Sequence, residues 1–141
     1  MFAVTILGNN SAVPAFGRNP TSQILQTPDD LFLIDCGEGT QVQLQKSQIA
    51  YSKLKQIFIS HLHGDHYFGL FGLLTSFGLT GRQEPLHIFA PPGLTEILES
   101  VIRMCDNTLP YVVTVHEVDP TKFAVIWEDP ALKVYAIPLQ H

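Results

Sequence analysis

Residues 54–79 constrain the fold of this chain more than any other segment. The segment opens on Leu54-Lys55-Gln56-Ile57-Phe58-Ile59-Ser60, an apolar run that reads as a strand. His61-Leu62-His63-Gly64-Asp65-His66 follows at once and puts three imidazoles and a carboxylate within six residues. From 67 to 79 the chain is apolar on every side of a helix, with Gly69, Gly72 and Gly78 spaced through it. A helix that is apolar all round has to be buried. Its glycines lower its own propensity, so close packing must hold it. A strand that feeds a buried helix through a polar turn needs further layers around both.

The rest of the chain can supply those layers. Residues 2–7 read as a strand, and 8–20 as a loop dense in turn formers. Residues 21–27 alternate polar and apolar, Pro28-Asp29-Asp30 forms a turn, and 31–35 form a third strand. Three strands so close together suggest a meander. Asp35-Cys36-Gly37-Glu38-Gly39-Thr40-Gln41 then breaks the pattern. Its glycines flank an acid at a strand end, a turn that lets the backbone approach something closely. A mostly exposed helix is expected over 41–47 and a strand over 85–90. Pro91-Pro92-Gly93 opens a helix with Leu94, Ile97, Leu98, Val101 and Ile102 on one face. Residues 111–118, 123–127 and 132–137 read as strands separated by Asp-Pro turns. The order is a layered α/β pattern, not a simple βαβ repeat.

A chain of 141 residues builds one core. With 45% hydrophobic and 15% charged residues it is globular. No apolar run reaches the roughly 18–20 residues of a membrane helix, so no membrane partner is expected. The start carries no basic segment and reads as a strand, not a signal peptide. Cys36 and Cys105 make no disulfide framework and read as two buried thiols of a cytoplasmic protein. A net charge of −5 without a lysine/arginine cluster argues against a broad basic face, and no DNA partner is expected. Gripping phosphates with metals and a few placed groups stays open.

Zinc takes imidazole nitrogens and carboxylate oxygens at roughly 2.0–2.2 Å. At a strand end His61 and His63 share a face and can meet one ion. Gly64 allows a turn that carries Asp65 and His66 past it. Four donors in six residues are too many for one catalytic zinc, whereas two ions about 3.5–4 Å apart suit them. Water between two such ions approaches neutral pKa and becomes a hydroxide nucleophile. Taken singly, Asp65 reads as the N-cap of the next helix, with His66 in its first turn. Asp35 could orient a metal-bound histidine through a hydrogen bond. His87 and His116, in predicted strands away from any cluster, read as ordinary core or surface histidines, and Cys36 as a packed thiol.

The H-x-H-x-D-H run resembles the signature of the metallo-β-lactamase superfamily, which includes lactamases, glyoxalases, phosphodiesterases and nucleases. The run from Asp35 to Gln41 is narrower and is similar to the ribonuclease Z family of tRNA 3′-end processing endonucleases. So is the early loop with Ser11, Val13-Pro14 and Arg18-Asn19. Pro138-Leu139-Gln140-His141 resembles that family's third metal motif. The resemblance implies an α/β fold, half of a metallo-β-lactamase αββα sandwich, with a mixed sheet and helices on one face. It implies zinc, with His61, His63 and His141 on one ion and Asp65 and His66 on the other. Asp65 would also be the general base. The metal-bound hydroxide would attack the phosphorus after the discriminator nucleotide of precursor tRNA and leave a 3′-hydroxyl. Arg18 and Asn19 would hold substrate phosphates.

The resemblance takes residues 1–141 as one unit, the N-terminal half of that domain. The family's bridging aspartate, last metal-ligand histidine, proton-donating histidine and tRNA-gripping arm would follow His141. The segment alone is therefore expected to be weak or inactive and poor in metal. It is also expected to leave a sheet face uncovered, giving exposed apolar surface and self-association into a homodimer. Two other readings stay open. One is a different hydrolase of the superfamily, such as a cyclic-nucleotide phosphodiesterase or an arylsulfatase-like protein. The other is a non-catalytic dimerisation or interaction fragment.

Overall fold

A computed structural model describes residues 2–13, 15–106 and 108–140; His141 lies outside the described residues. Strands β1 (Ala3–Gly8), β2 (Ser22–Gln26) and β3 (Leu31–Ile34) form the expected antiparallel meander. Helix α1 (Thr40–Lys46) returns the chain to β4 (Leu54–Phe58), which lies parallel to β3. Helices α2 (Gly64–Tyr67) and α3 (Gly69–Leu79) lead to β5 (Leu86–Ala90), and α4 (Leu94–Met104) leads to β6 (Val113–Glu117). The sheet runs β1-β2-β3-β4-β5-β6 and is parallel from β3 onward. β7 (Ala124–Glu128) and β8 (Lys133–Ala136) pair as a separate antiparallel hairpin.

Successive residues of the central strands face opposite sides. Leu33, Ile57 and Ile88 point to one side, where they pack with Leu44, Leu70, Leu73, Leu74, Phe77, Leu94 and Leu98 of the helices. Phe32, Phe58 and Phe89 point to the other and pack with Leu25 and with Ile126, Trp127, Leu132 and Val134. Both faces of these strands are therefore apolar, as parallel strands require. The Phe58 and Phe89 rings stack at 5.0 Å, and Phe32 lies 6.3 Å from Phe58. An apolar trough of about 1240 Å³ runs between the hairpin and the sheet, lined by residues of both. Phe2, Val4, Ile6, Ile137 and Leu139 are exposed. No helix among the described residues is long and apolar enough to cross a membrane.

Three expectations need correction. The apolar helix is not continuous. Gly69 N–H donates to the Cys36 carbonyl at 2.8 Å instead of joining the helical ladder, so the chain breaks at Phe68 between α2 and α3. Cys105 is exposed at the end of α4; only Cys36 is a buried thiol. His87 and His116 are not isolated. The parallel register of β5 and β6 brings His87 Nδ1 within 3.0 Å of His116 Nε2, and His116 stacks on Phe89 at 4.5 Å. Burial first, and then the neighbouring His87, lowers the pKa of His116.

Candidate metal centre

The site is assembled from the C-terminal ends of β3 and β4. Asp35 follows β3 with φ 56°, in the left-handed region that few non-glycine residues adopt. Its N–H still donates to the Phe58 carbonyl at 2.8 Å, while the turned backbone aims the carboxylate across the end of β4. Oδ1 accepts from the Ser60 N–H at 2.8 Å. Oδ2 lies 3.0 Å from Ser60 Oγ and 2.8 Å from His66 Nδ1. Asp35 is buried, so these contacts fix a backbone conformation that is otherwise costly. Among the motif histidines, the Asp35 carboxylate contacts the His66 ring directly.

Glycines bring the Asp35 turn against the start of α3. Cys36 N–H donates to the His66 carbonyl at 2.7 Å. A Cβ on Gly37 would lie 2.4 Å from the Asp65 carbonyl oxygen, and one on Gly69 would lie 2.1 Å from that of Gly37. The close approach read from the glycines around Glu38 is therefore made to the His61–His66 turn itself. Thr40 Oγ1 donates to the Gly37 carbonyl at 2.7 Å and closes the turn. Cys36 beneath it is fully buried, and burial pushes its thiol up to about 12, so it is a packed thiol rather than a ligand.

The three motif histidines gather at this point. The His61 ring lies 3.8 Å from that of His66 and 4.6 Å from that of His63, centre to centre. His66 Nε2 lies 3.7 Å from Asp65 Oδ2. Strand periodicity does not place His61 beside His63, because β4 ends at Phe58 and both lie in the turn beyond it. Nor is Asp65 the N-cap. His63 holds that position without a side-chain cap bond, and Asp65 sits inside the first turn of α2. There its carboxylate faces the His66 ring.

A cavity of about 500 Å³ opens beside the cluster, lined among others by Ala12, Pro20, Glu38, His63 and Asp65. His61 and His66 line the end of the larger trough. Glu38 had only one signal in the sequence, an acid between two glycines. Arg18 is exposed and Asn19 half-buried on the loop that contributes Ala12 and Pro20, but neither lines the cavity.

No group of three or more His, Cys, Asp or Glu among the described residues is arranged to hold a metal ion. The donor chemistry nevertheless suits zinc, with imidazoles and a carboxylate side by side and a carboxylate behind one ring. Donors divided two and two between a pair of ions would form no trio.

The chain is similar in sequence or architecture to a number of known proteins, among them the following three. Ribonuclease Z of Bacteroides fragilis is 50% identical over 140 residues, which are 99% of this chain and 46% of that protein. The structure of human tRNase Z, short form, superimposes with a TM-score of 0.85 at 34% identity, covering 94% of this chain and 58% of that one. The metallo-beta-lactamase fold protein YhfI of Bacillus subtilis, 19% identical, matches with a TM-score of 0.70 over 94% of this chain and 54% of its own. The sheet, its helix layer and the histidine turn at the strand ends define a protein of metallo-β-lactamase fold. The chain belongs to the family described as anti-Pycsar protein Apyc1, whose model matches residues 2–134. It spans about half the length of the curated relatives it matches.

Proposed function

We propose that this chain forms one wall of a two-zinc phosphodiesterase centre that cuts precursor tRNA at its 3′ end. One observation carries the reading: the gathering of His61, His63, His66 and Asp65 at the strand ends, with Asp35 behind His66, in a chain 50% identical to a protein named Ribonuclease Z. The description of the matched family does not by itself choose the substrate. Close identity to relatives named Ribonuclease Z over 99% of the chain favours tRNA.

His61 and His63, joined by His141, would hold one ion, and Asp65 with His66 the other. Zinc bound there supplies charge that activates water and offsets charge developing on the phosphate oxygens. Asp65 takes the proton of the attacking water. Asp35 keeps the His66 ring in place through Nδ1. Arg18 and Asn19 approach flanking phosphates from the early loop. Residues 1–141 act as the N-terminal half of a metallo-β-lactamase domain, and the rest of the protein supplies the opposite wall and the proton for the leaving group. The complete protein works in the cytoplasm as a homodimer.

The test is to incubate the full-length protein with precursor tRNA and map the new 3′ ends. We expect one cut after the discriminator nucleotide, abolished by a zinc chelator and restored by zinc. Intact precursor tRNA in the presence of zinc, with hydrolysis of a small phosphodiester such as a cyclic nucleotide, would contradict the substrate.

A further inference from the structure

We propose that Ser60 is a positioning residue that extends the hold of Asp35 from His66 to His61, so that one carboxylate orients a histidine at each of the two metal positions. The inference rests on the two-metal reading above. Ser60 Oγ lies 3.0 Å from Asp35 Oδ2, 3.3 Å from His61 Nδ1 and 3.0 Å from His66 Nδ1. A hydroxyl has one proton to donate and lone pairs with which to accept. The Asp35 carboxylate only accepts. Were the Ser60 proton turned to a histidine, two acceptors would face each other at 3.0 Å across the Oγ–Oδ2 contact. The proton therefore belongs on the Asp35 side, and the Ser60 lone pairs face His61 Nδ1.

That assignment fixes both rings. His66 Nδ1–H donates to Asp35 Oδ2 at 2.8 Å, and His61 Nδ1–H donates to Ser60 Oγ at 3.3 Å. In each imidazole the lone pair then sits on Nε2, the nitrogen that can meet a metal. The Ser60 backbone is held from the same carboxylate, because its N–H donates to Asp35 Oδ1 at 2.8 Å. The hydroxyl thus cannot drift from its acceptor without breaking the strand-end turn. Partners behind a metal-ligating histidine fix its tautomer and raise its basicity. Here one carboxylate serves two histidines, the second by way of a hydroxyl.

Histidine tautomers are read by long-range ¹H–¹⁵N correlation on the metal-stripped full-length protein at about pH 8.5, where unperturbed imidazoles are neutral. We expect His61 and His66 both to carry the proton on Nδ1. Ser60→Ala should leave His66 unchanged and move His61 toward the Nε2–H tautomer, while Ser60→Thr should retain the wild-type pattern. In a zinc titration Ser60→Ala should weaken one of two bound ions by about 10–100-fold, with Ser60→Thr restoring it. An unchanged His61 tautomer in Ser60→Ala would overturn the proposal. So would equal disturbance of both histidines, which would place Ser60 in general support of the turn. If these results hold while precursor tRNA is not cut, the substrate reading fails and the role of Ser60 stands.

Discussion

Asp65→Ala in the full-length protein should lower the rate of precursor-tRNA cleavage by about 10²–10⁴-fold, the range for losing a general base, measured in single turnover. Two proposed functions would be lost together, since Asp65 would be both proton acceptor and a ligand at one metal position. The effect should fall on chemistry and not on folding. Asp65 makes no cap bond, and its carboxylate lies 3.7 Å from His66 Nε2. The thermal midpoint should therefore move far less than the cleavage rate, because no helix cap is lost. Near wild-type cleavage by this variant would remove Asp65 from the mechanism. A folded variant with cleavage slowed to that degree and less bound zinc is the expected result.

Gly69→Ala should be the most damaging glycine-to-alanine change within residues 54–79. Its Cβ would lie 2.1 Å from the Gly37 carbonyl oxygen and 2.9 Å from that of Cys36. Both obstacles are backbone, and both belong to the turn that aims Asp35. Overpacking of this kind typically costs about 1–3 kcal/mol, and rigid neighbours put it at the upper end. Alanine's better helix propensity returns about 1 kcal/mol at most. Gly72→Ala is the control. Its Cβ would meet only Gln41 Oε1, at 2.7 Å, the end of a flexible side chain. Urea unfolding of the full-length protein should show Gly69→Ala clearly less stable than wild type and Gly72→Ala close to it. Equal stability of all three would mean that the turn and α3 can part without loss. Gly69→Ala should also weaken zinc binding, because the displaced turn carries Asp35 away from His66.

How much of this was legible in the sequence depends on the range of each interaction. The meander, the strand before the histidines and the one-sided helix α4 follow from local periodicity and turn residues, and the structure has them. The Asp35 to Gln41 glycines announced a close approach, and Gly37 makes it. What stayed hidden depends on partners far along the chain. The break at Phe68 arises because Gly69 N–H finds Cys36, which no local pattern predicts. Asp65 looks like a cap in sequence, but the extended His63 takes the cap position and leaves Asp65 to the site. Ser60 gave no signal of its own, since its importance comes from an aspartate 25 residues earlier. The His87–His116 pair likewise exists only once β5 and β6 are in register.

On the proposed function, the turn from His61 to His66 would serve two ions and not one. An anomalous-scattering map at the zinc edge, from crystals of the zinc-loaded full-length protein, tests it directly. Two peaks are expected, one against His61 and His63 and the other against Asp65 and His66, with Ser60 and Asp35 behind the rings. A single peak shared by all four donors, or none in contact with them, would contradict it.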